Sequence, residues 1–210
     1  TAARILGEPA DGLGVAYPSQ VVGGSRPVTY TEISRHTVSG TGSGPLSAAA
    51  CFTTDKAAFP YGAHFCQVAV NTRTGAVEVQ RYLALQDCGT PINPELSLGQ
   101  MYGGVLKTIG HTLFEGLVLD GGGRCRNANF LDYHVPMIRD LPGEFRAVLV
   151  QTDDPLGPYG GKSVSEISCN GAAPAIAAAI HDATGAWMRS WPFGPEQVLR
   201  ALGRLGGEAK

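Results

Sequence analysis

Residues 93–116 constrain the fold more tightly than any other stretch. Asn93-Pro94-Glu95 is a helix start: a side chain able to cap, a proline at the first helical position, and a carboxylate near the positive end of the helix dipole. Leu98, Tyr102, Val105, Ile109 and Leu113 then recur at helical spacing, which predicts a helix to about Gly116 with one apolar stripe. A second stripe is less ordinary. Gln100, Gly104, Lys107 and His111 share a face and are flanked by Gly99, Gly103 and Gly110. Each glycine costs roughly 0.5–1 kcal/mol in a helix interior, so several of them call for the close approach of another backbone or of a ligand. Helix packing through glycine and ligand approach account for the stripe equally well.

A helix of this kind needs a sheet to lie on. Ala63–Val70 and Ala76–Gln86 read as strands joined by Asn71-Thr72-Arg73-Thr74-Gly75, whose glycine suits a positive φ. In the second strand Val77, Val79, Leu83 and Leu85 alternate with Glu78, Gln80 and Tyr82, so the first set is expected to be buried and the second wet. Asp87-Cys88-Gly89-Thr90 breaks that strand, and Glu144–Gln151 is a further strand. Ala172–Gly185 is an alanine-rich helix with Pro174 in its first turn and Gly185 past its end. Gln197–Leu205 reads as a terminal helix and 206–210 as a frayed tail. The expected fold is α+β, a mixed sheet packed on the long glycine-containing helix and the alanine-rich helix.

The amino-terminal part is less regular. Ala2–Gly7 reads as the tail of a helix, and a chain opening on Thr1 suggests a fragment or processed subunit. Gln20–Val22 and Val28–Tyr30 form a hairpin around Gly23-Gly24-Ser25, and Thr31 caps a brief helix through His36. Ser39 to Tyr61 is a long loop in which Thr41-Gly42-Ser43-Gly44 suits a flexible connector better than a phosphate site. Residues 1–60 are therefore read as the end of a preceding subdomain and 61–205 as the carboxy-terminal subdomain. Asp120-Gly121-Gly122-Gly123 is a turn between short strands, and Asp132-Tyr133-His134 before Pro136 is expected to be extended.

Composition narrows the partners. The apolar share is 43% against 16% charged residues, so a partner chain is expected to cover much of the surface. A net charge of −2 argues against nucleic acid or an anionic membrane. No run approaches the ~18 apolar residues of a membrane helix, so the expectation is a soluble, cytoplasmic protein. The 5 cysteines are scattered, without C-x-x-C, and read as small buried hydrophobes, with no metal ligands assigned.

The candidate site is the segment 157–171. Its glycine-rich lead-in exposes backbone N–H groups, Lys162 adds a cation, and Ser163, Ser165 and Ser168 add hydroxyls around one carboxylate, Glu166. It runs into the helix at 172, so it suits an anionic, oxygen-rich ligand with a base held against it, although many such loops only connect elements.

Six motifs in order carry a resemblance. They are Gly-Ala-His-Phe-Cys-Gln-Val-Ala-Val-Asn-x-x-Thr-Gly (62–75), Asp-x-Gly-x-x-Ile-Asn-Pro (87–94), Gly-Gln-x-x-Gly-Gly (99–104), Asp-Tyr-x-x-Pro (132–136), Gly-x-Lys-x-Val-x-Glu (160–166) and Pro-Ala-Ile-Ala-x-Ala-Ile-x-Asp-Ala-Thr-Gly (174–185). Together they resemble the carboxy-terminal part of the molybdenum-binding subunit of the xanthine dehydrogenase and aldehyde oxidase family, with the bacterial purine or nicotinate hydroxylase branch nearest in form. The resemblance implies a second molybdopterin-binding subdomain and a molybdenum-molybdopterin cofactor, in the cytosine dinucleotide form if the bacterial look holds. It implies Glu166 as the base toward a metal-bound hydroxide that attacks an N-heterocycle or aldehyde carbon, hydride passing to a sulfido ligand. It also implies Gln100, Gly161, Lys162, Ser163, Val164 and Ser165 as cofactor-binding residues. FAD and 2Fe-2S clusters are expected in partner subunits, together with the remaining part of the molybdenum subunit. Where the family helix has Gln-Gly, this chain has Lys107-Thr108, which leaves no implied cofactor contact at that turn.

Two other classes compete. A stand-alone hydrolase using Glu166 lacks a histidine nearby in sequence and a G-x-S-x-G motif. A non-catalytic cofactor-binding or assembly module fits a chain that carries only part of a site.

Overall fold

The computed structural model describes residues 1–40, 44–51, 53 and 56–205. Two units emerge, residues 1–54 and 55–210. The predicted Thr41-Gly42-Ser43 connector and the tail 206–210 lie outside the described residues.

In the first unit, helix α1 (Ala2–Leu6) ends at Gly7 in the left-handed conformation, φ 69°. The hairpin of β2 (Gln20–Val22) and β3 (Val28–Thr29) is present, and β1 (Gly14–Ala16) adds an antiparallel strand that the sequence did not announce. Helix α2 (Tyr30–Arg35) starts two residues earlier than predicted. Its cap is Thr29, whose hydroxyl accepts from the Glu32 N–H at 3.2 Å, and not Thr31. Val28, Ala2 and Ile33 form a small core. The chain then makes one wide helical turn, His36–Gly40, which starts where the predicted helix ends and takes in the first residues, Ser39 and Gly40, of the predicted loop.

The second unit is built on a mixed three-stranded sheet. β4 (Tyr61–Val70) and β5 (Val77–Asp87) are antiparallel, and β6 (Glu144–Val150) joins β5 in parallel. Asn71 closes the hairpin by accepting from the N–H groups of Arg73 and Thr74, and Gly75 follows at φ 79°. A side chain at Gly75 would meet the backbone of Pro195.

Helices α3 (Pro94–Leu113) and α5 (Ala172–Thr184) cover one face of the sheet. Met101, Val105 and Ile109 of α3, and Ile176 and Ile180 of α5, form the core with Val79, Tyr82 and Ala84 of β5. The Asn93 side chain caps α3 by accepting from Leu96 N–H at 3.0 Å, as its sequence predicts. The helix stops at Leu113, short of Gly116. Of its predicted stripe, Val105, Ile109 and Leu113 are buried, whereas Tyr102 packs outward on β6. The Tyr102 ring meets Phe145 edge-on at 4.8 Å and its hydroxyl accepts from Ala147 N–H at 3.2 Å.

The alternation read along β5 fails halfway. Val68 pairs with Val79 but Gln67 pairs with Arg81, so Gln80 is an extra, bulged residue. After the bulge the parity changes: Tyr82, Ala84 and Gln86 are buried, and Leu83 and Leu85 are only half-buried.

Three further expectations change. Asp132 and Tyr133 lie in a turn organised by Asn129, which accepts from Leu131 N–H and Asp132 N–H, and are not extended. The last helix, α6, is Pro195–Ala201. Of the cysteines only Cys88 is buried, while Cys51 is exposed and the others are intermediate, all as free thiols. The Asp120 turn is as read, its carboxylate accepting from Gly122 N–H and Arg124 N–H. Among the described residues, no helix is long and apolar enough to cross a membrane.

Candidate functional site

The predicted loop is moored to the end of β5. Gly89, at φ 65°, lets the chain past Asp87 run antiparallel to the loop: Lys162 N–H donates to the Cys88 carbonyl and Thr90 N–H to the Gly160 carbonyl, both at 2.7 Å. Just before this pairing, Pro158–Gly160 makes a tight turn with Tyr159 at φ 54° and Gly160 at φ 78°. Tyr159 is a non-glycine residue in the left-handed region, and it is 90% exposed.

Lys162 behaves differently from its expectation as a cation offered to a ligand. Its ammonium is 2.8 Å from Asp87 Oδ2 and 3.6 Å from Asp154 Oδ2, with 7% of its side chain exposed. Burial pushes the Asp87 carboxyl up, but hydrogen bonds from Lys162, Thr152 and Gly89 outweigh it and bring the carboxyl down to about 2. Asp87 in turn raises Lys162.

Two contacts that no local reading reveals hold the rest of the loop. Gln86 Nε2 donates to the Ser163 carbonyl at 3.1 Å across 77 residues, while Gln86 Oε1 is buried without a partner among the described residues. Gln100 Nε2 donates to Ser165 Oγ at 3.1 Å, so two predicted site residues 65 apart meet directly. Gln100, Gly161, Lys162, Val164 and Ser165 line one cleft of about 420 Å³, together with Ile92 and Leu96. Among the described residues, the N–H groups of Ser163, Val164 and Ser165 donate to no protein acceptor.

Glu166 follows Ser165 at the start of the short helix α4 (Ile167–Asn170), which the sequence reading did not separate. Its carbonyl accepts from Cys169 N–H and Asn170 N–H. Its carboxylate is exposed and without a hydrogen-bond partner among the described residues. Ser168 points the other way, donating to the Ser165 carbonyl at 2.6 Å.

The glycines of α3 divide. A side chain at Gly104 would meet Ser168, and one at Gly110 would meet Pro136, whereas Gly99 and Gly103 face open space. Helix packing thus explains the first pair and leaves the second unexplained. Lys107 and His111 lie farther along, lining a separate opening of about 430 Å³ with Asn170 and Trp191.

A histidine does sit beside the site, although none is near Glu166 in sequence. His64 of β4 has its Nδ1 2.8 Å from the Tyr82 hydroxyl. A side chain at Gly171 would collide with the His64 ring. Burial lowers the pKa of His64, against a hydrogen bond to the Ile167 backbone. Its only sequence signal was its place in the motif at 62–75.

Comparison with known proteins identifies the family and the fold. The family model described as "Molybdopterin cofactor-binding domain" matches residues 1–142. The chain is 49% identical over 203 residues to the probable hypoxanthine oxidase XdhD of Escherichia coli (strain K12), covering 97% of this chain and 21% of that protein. It is 34% identical over 151 residues to the nicotine 6-hydroxylase large subunit of Paenarthrobacter nicotinovorans, covering 70% of this chain and 18% of that one. The chain thus spans about a fifth of the length of these relatives. Among solved structures, quinoline 2-oxidoreductase from Pseudomonas putida 86 superposes with a TM-score of 0.71 at 24% identity, over 96% of this chain and 27% of that chain, a likeness of fold. Aldehyde oxidoreductase from Desulfovibrio gigas gives 0.62 at 32% identity, over 69% of this chain and 15% of that chain. With its α+β fold and the order of its motifs, the chain belongs to the molybdopterin cofactor-binding domain family.

Proposed function

We propose that this chain is part of a molybdenum hydroxylase that oxidises an N-heterocycle or aldehyde with oxygen from water, supplying Glu166 as base and part of the cofactor cradle. The observation that carries the reading is the Gln100–Ser165 hydrogen bond, which joins α3 to the loop beside Glu166 at one cleft. Residues 61–205 would form the second molybdopterin-binding subdomain.

The cleft suits a molybdopterin. The Val164 and Ser165 N–H groups are uncommitted donors on residues that line the cleft with Gln100, and the neighbouring Ser163 N–H is uncommitted too, a donor set for an oxygen-rich anionic group. Gln100, Gly161, Val164, Ser165 and the backbone of Lys162 and Ser163 would hold it. When bound, the pterin-held molybdenum supplies a Lewis acid and a two-electron acceptor.

The chain's own part is proton handling. A base must reach within hydrogen-bond distance of the proton it takes. Glu166 offers a carboxylate oxygen that no protein donor occupies among the described residues, on backbone fixed by the first turn of α4. Gln100 braces Ser165, the residue before Glu166, through the Ser165 hydroxyl, and Ser168 holds the Ser165 carbonyl. The cytosine dinucleotide form, the FAD and 2Fe-2S centres on partner subunits, and the remainder of the molybdenum subunit belong to the same proposal, supported by relatives about five times as long.

Glu166→Gln in the full-length complex is expected to lower turnover about 10²–10⁴-fold with molybdenum retained. Unchanged turnover would favour a non-catalytic module, and a native complex without stoichiometric molybdenum and pterin would sink the proposal.

A further inference from the structure

We propose that Lys162, Asp87 and Asp154, together with Gln86, are positioning residues: a clasp that locks the loop bearing Glu166 onto the end of β5. This deepens, and rests on, the reading of Glu166 as base.

The clasp has three kinds of tie within a few residues. Lys162 pairs with Asp87 at 2.8 Å and Asp154 at 3.6 Å, and all three side chains are largely buried, with 7%, 13% and 14% exposed. Two backbone hydrogen bonds of 2.7 Å join 88–90 to 160–162. Gln86 reaches from the buried face of β5 to the Ser163 carbonyl. Asp87 itself is fixed by Gly89 N–H at 2.9 Å and the Thr152 hydroxyl at 2.6 Å. Lys162 is therefore fastened from both ends, by its backbone and its ammonium, to the same strand terminus.

Glu166 lies four residues farther on, with no hydrogen bond of its own carboxylate to hold it. Its place depends on what fixes Ser163 and Ser165. A lysine that lines the cleft yet gives its ammonium to two carboxylates is a structural anchor, and leaves anion recognition by N–H donors to the residues that follow. Misplacing a reacting group by about 1 Å can cost about 10²-fold in rate.

The test uses the full-length, cofactor-loaded protein. Lys162→Met is expected to lower kcat about ten-fold or more, with KM within about two-fold and molybdenum content unchanged. Amide exchange across 160–166 should accelerate about ten-fold, while exchange in 61–70 stays as it was. Lys162→Arg should restore most of both. Asp154→Asn, which removes only the longer arm, should show the same changes in smaller measure and serves if Lys162→Met does not fold. Unchanged exchange in Lys162→Met overturns the clasp. So does loss of molybdenum, which would make Lys162 a cofactor ligand, or faster exchange with kcat unaltered. If Glu166→Gln in the same preparation keeps full turnover, the base assignment fails, and the exchange data alone then decide whether the clasp holds the loop.

Discussion

The core under the sheet and the loop at 157–166 sit on the same two elements, β5 and α3, yet are held by different forces. Met101, Val105 and Ile109 press on β5 and α5 through apolar contact that is non-directional and proportional to area. The loop sends Val164 to that core but is otherwise fixed by an ion triad, by amide hydrogen bonds and by left-handed turn residues. The difference decides what each can tolerate. A core of this kind accepts another apolar residue of similar volume at modest cost, whereas the loop's ties are directional, and removing one partner strands the other.

Ile109→Ala tests the core half of this contrast and should have the largest effect on stability, about 2–5 kcal/mol. The unfolding midpoint should fall while 160–166 keeps its exchange rates in the folded state. Faster loop exchange at full folding would show that the two regions are one unit.

Asp87→Asn tests the loop half through pH. Because the folded carboxyl lies near 2, below its usual value of 3.8, the stability it contributes is present above about pH 4 and lost as pH falls toward 2. Urea midpoints of the native chain and Asp87→Asn should differ at pH 6 and converge near pH 2. A constant gap would mean that the ionised carboxylate is not what holds Lys162.

The smallest effect is expected where the two regions meet, at the start of α3. Asn93→Ala removes the cap and should cost about 1 kcal/mol, read as a shift in thermal midpoint. A loss several times larger would show that the cleft wall, and not the helix end alone, depends on Asn93.

What was legible in the sequence follows the same division. The hairpin, the Asn93 cap, the Gly185 stop and most of the apolar row of α3 are local patterns, so residue type and spacing were enough to place them. Gln100, Gly161, Val164 and Ser165 were singled out by motif, but their meeting at one cleft was not readable. Gln100–Ser165, Asp87–Lys162 and Gln86–Ser163 span 65, 75 and 77 residues, and pairs so far apart leave no period in a sequence. The ion pairs of Lys162 are hidden for the same reason: a cation after two glycines suggests an anion, and only the fold brings Asp87 and Asp154 to it. His64 escaped notice because strand alternation says nothing about which helix start lies over it.

The bulge at Gln80 has a consequence for how this domain can change length over time. Counted without Gln80, the strand reads Val77, Glu78, Val79, Arg81, Tyr82, and the observed inward residues then alternate without interruption through Ala84 and Gln86. Losing that one residue would flatten the ladder and turn no other side chain over. Losing Arg81 would let Gln80 take its outward place at the same register, whereas losing Tyr82 would bring Arg81 to a buried place in the core. A strand that passes through the core therefore carries one short stretch, Gln80-Arg81, where losing a single residue is absorbed, placed just before the half that anchors the loop.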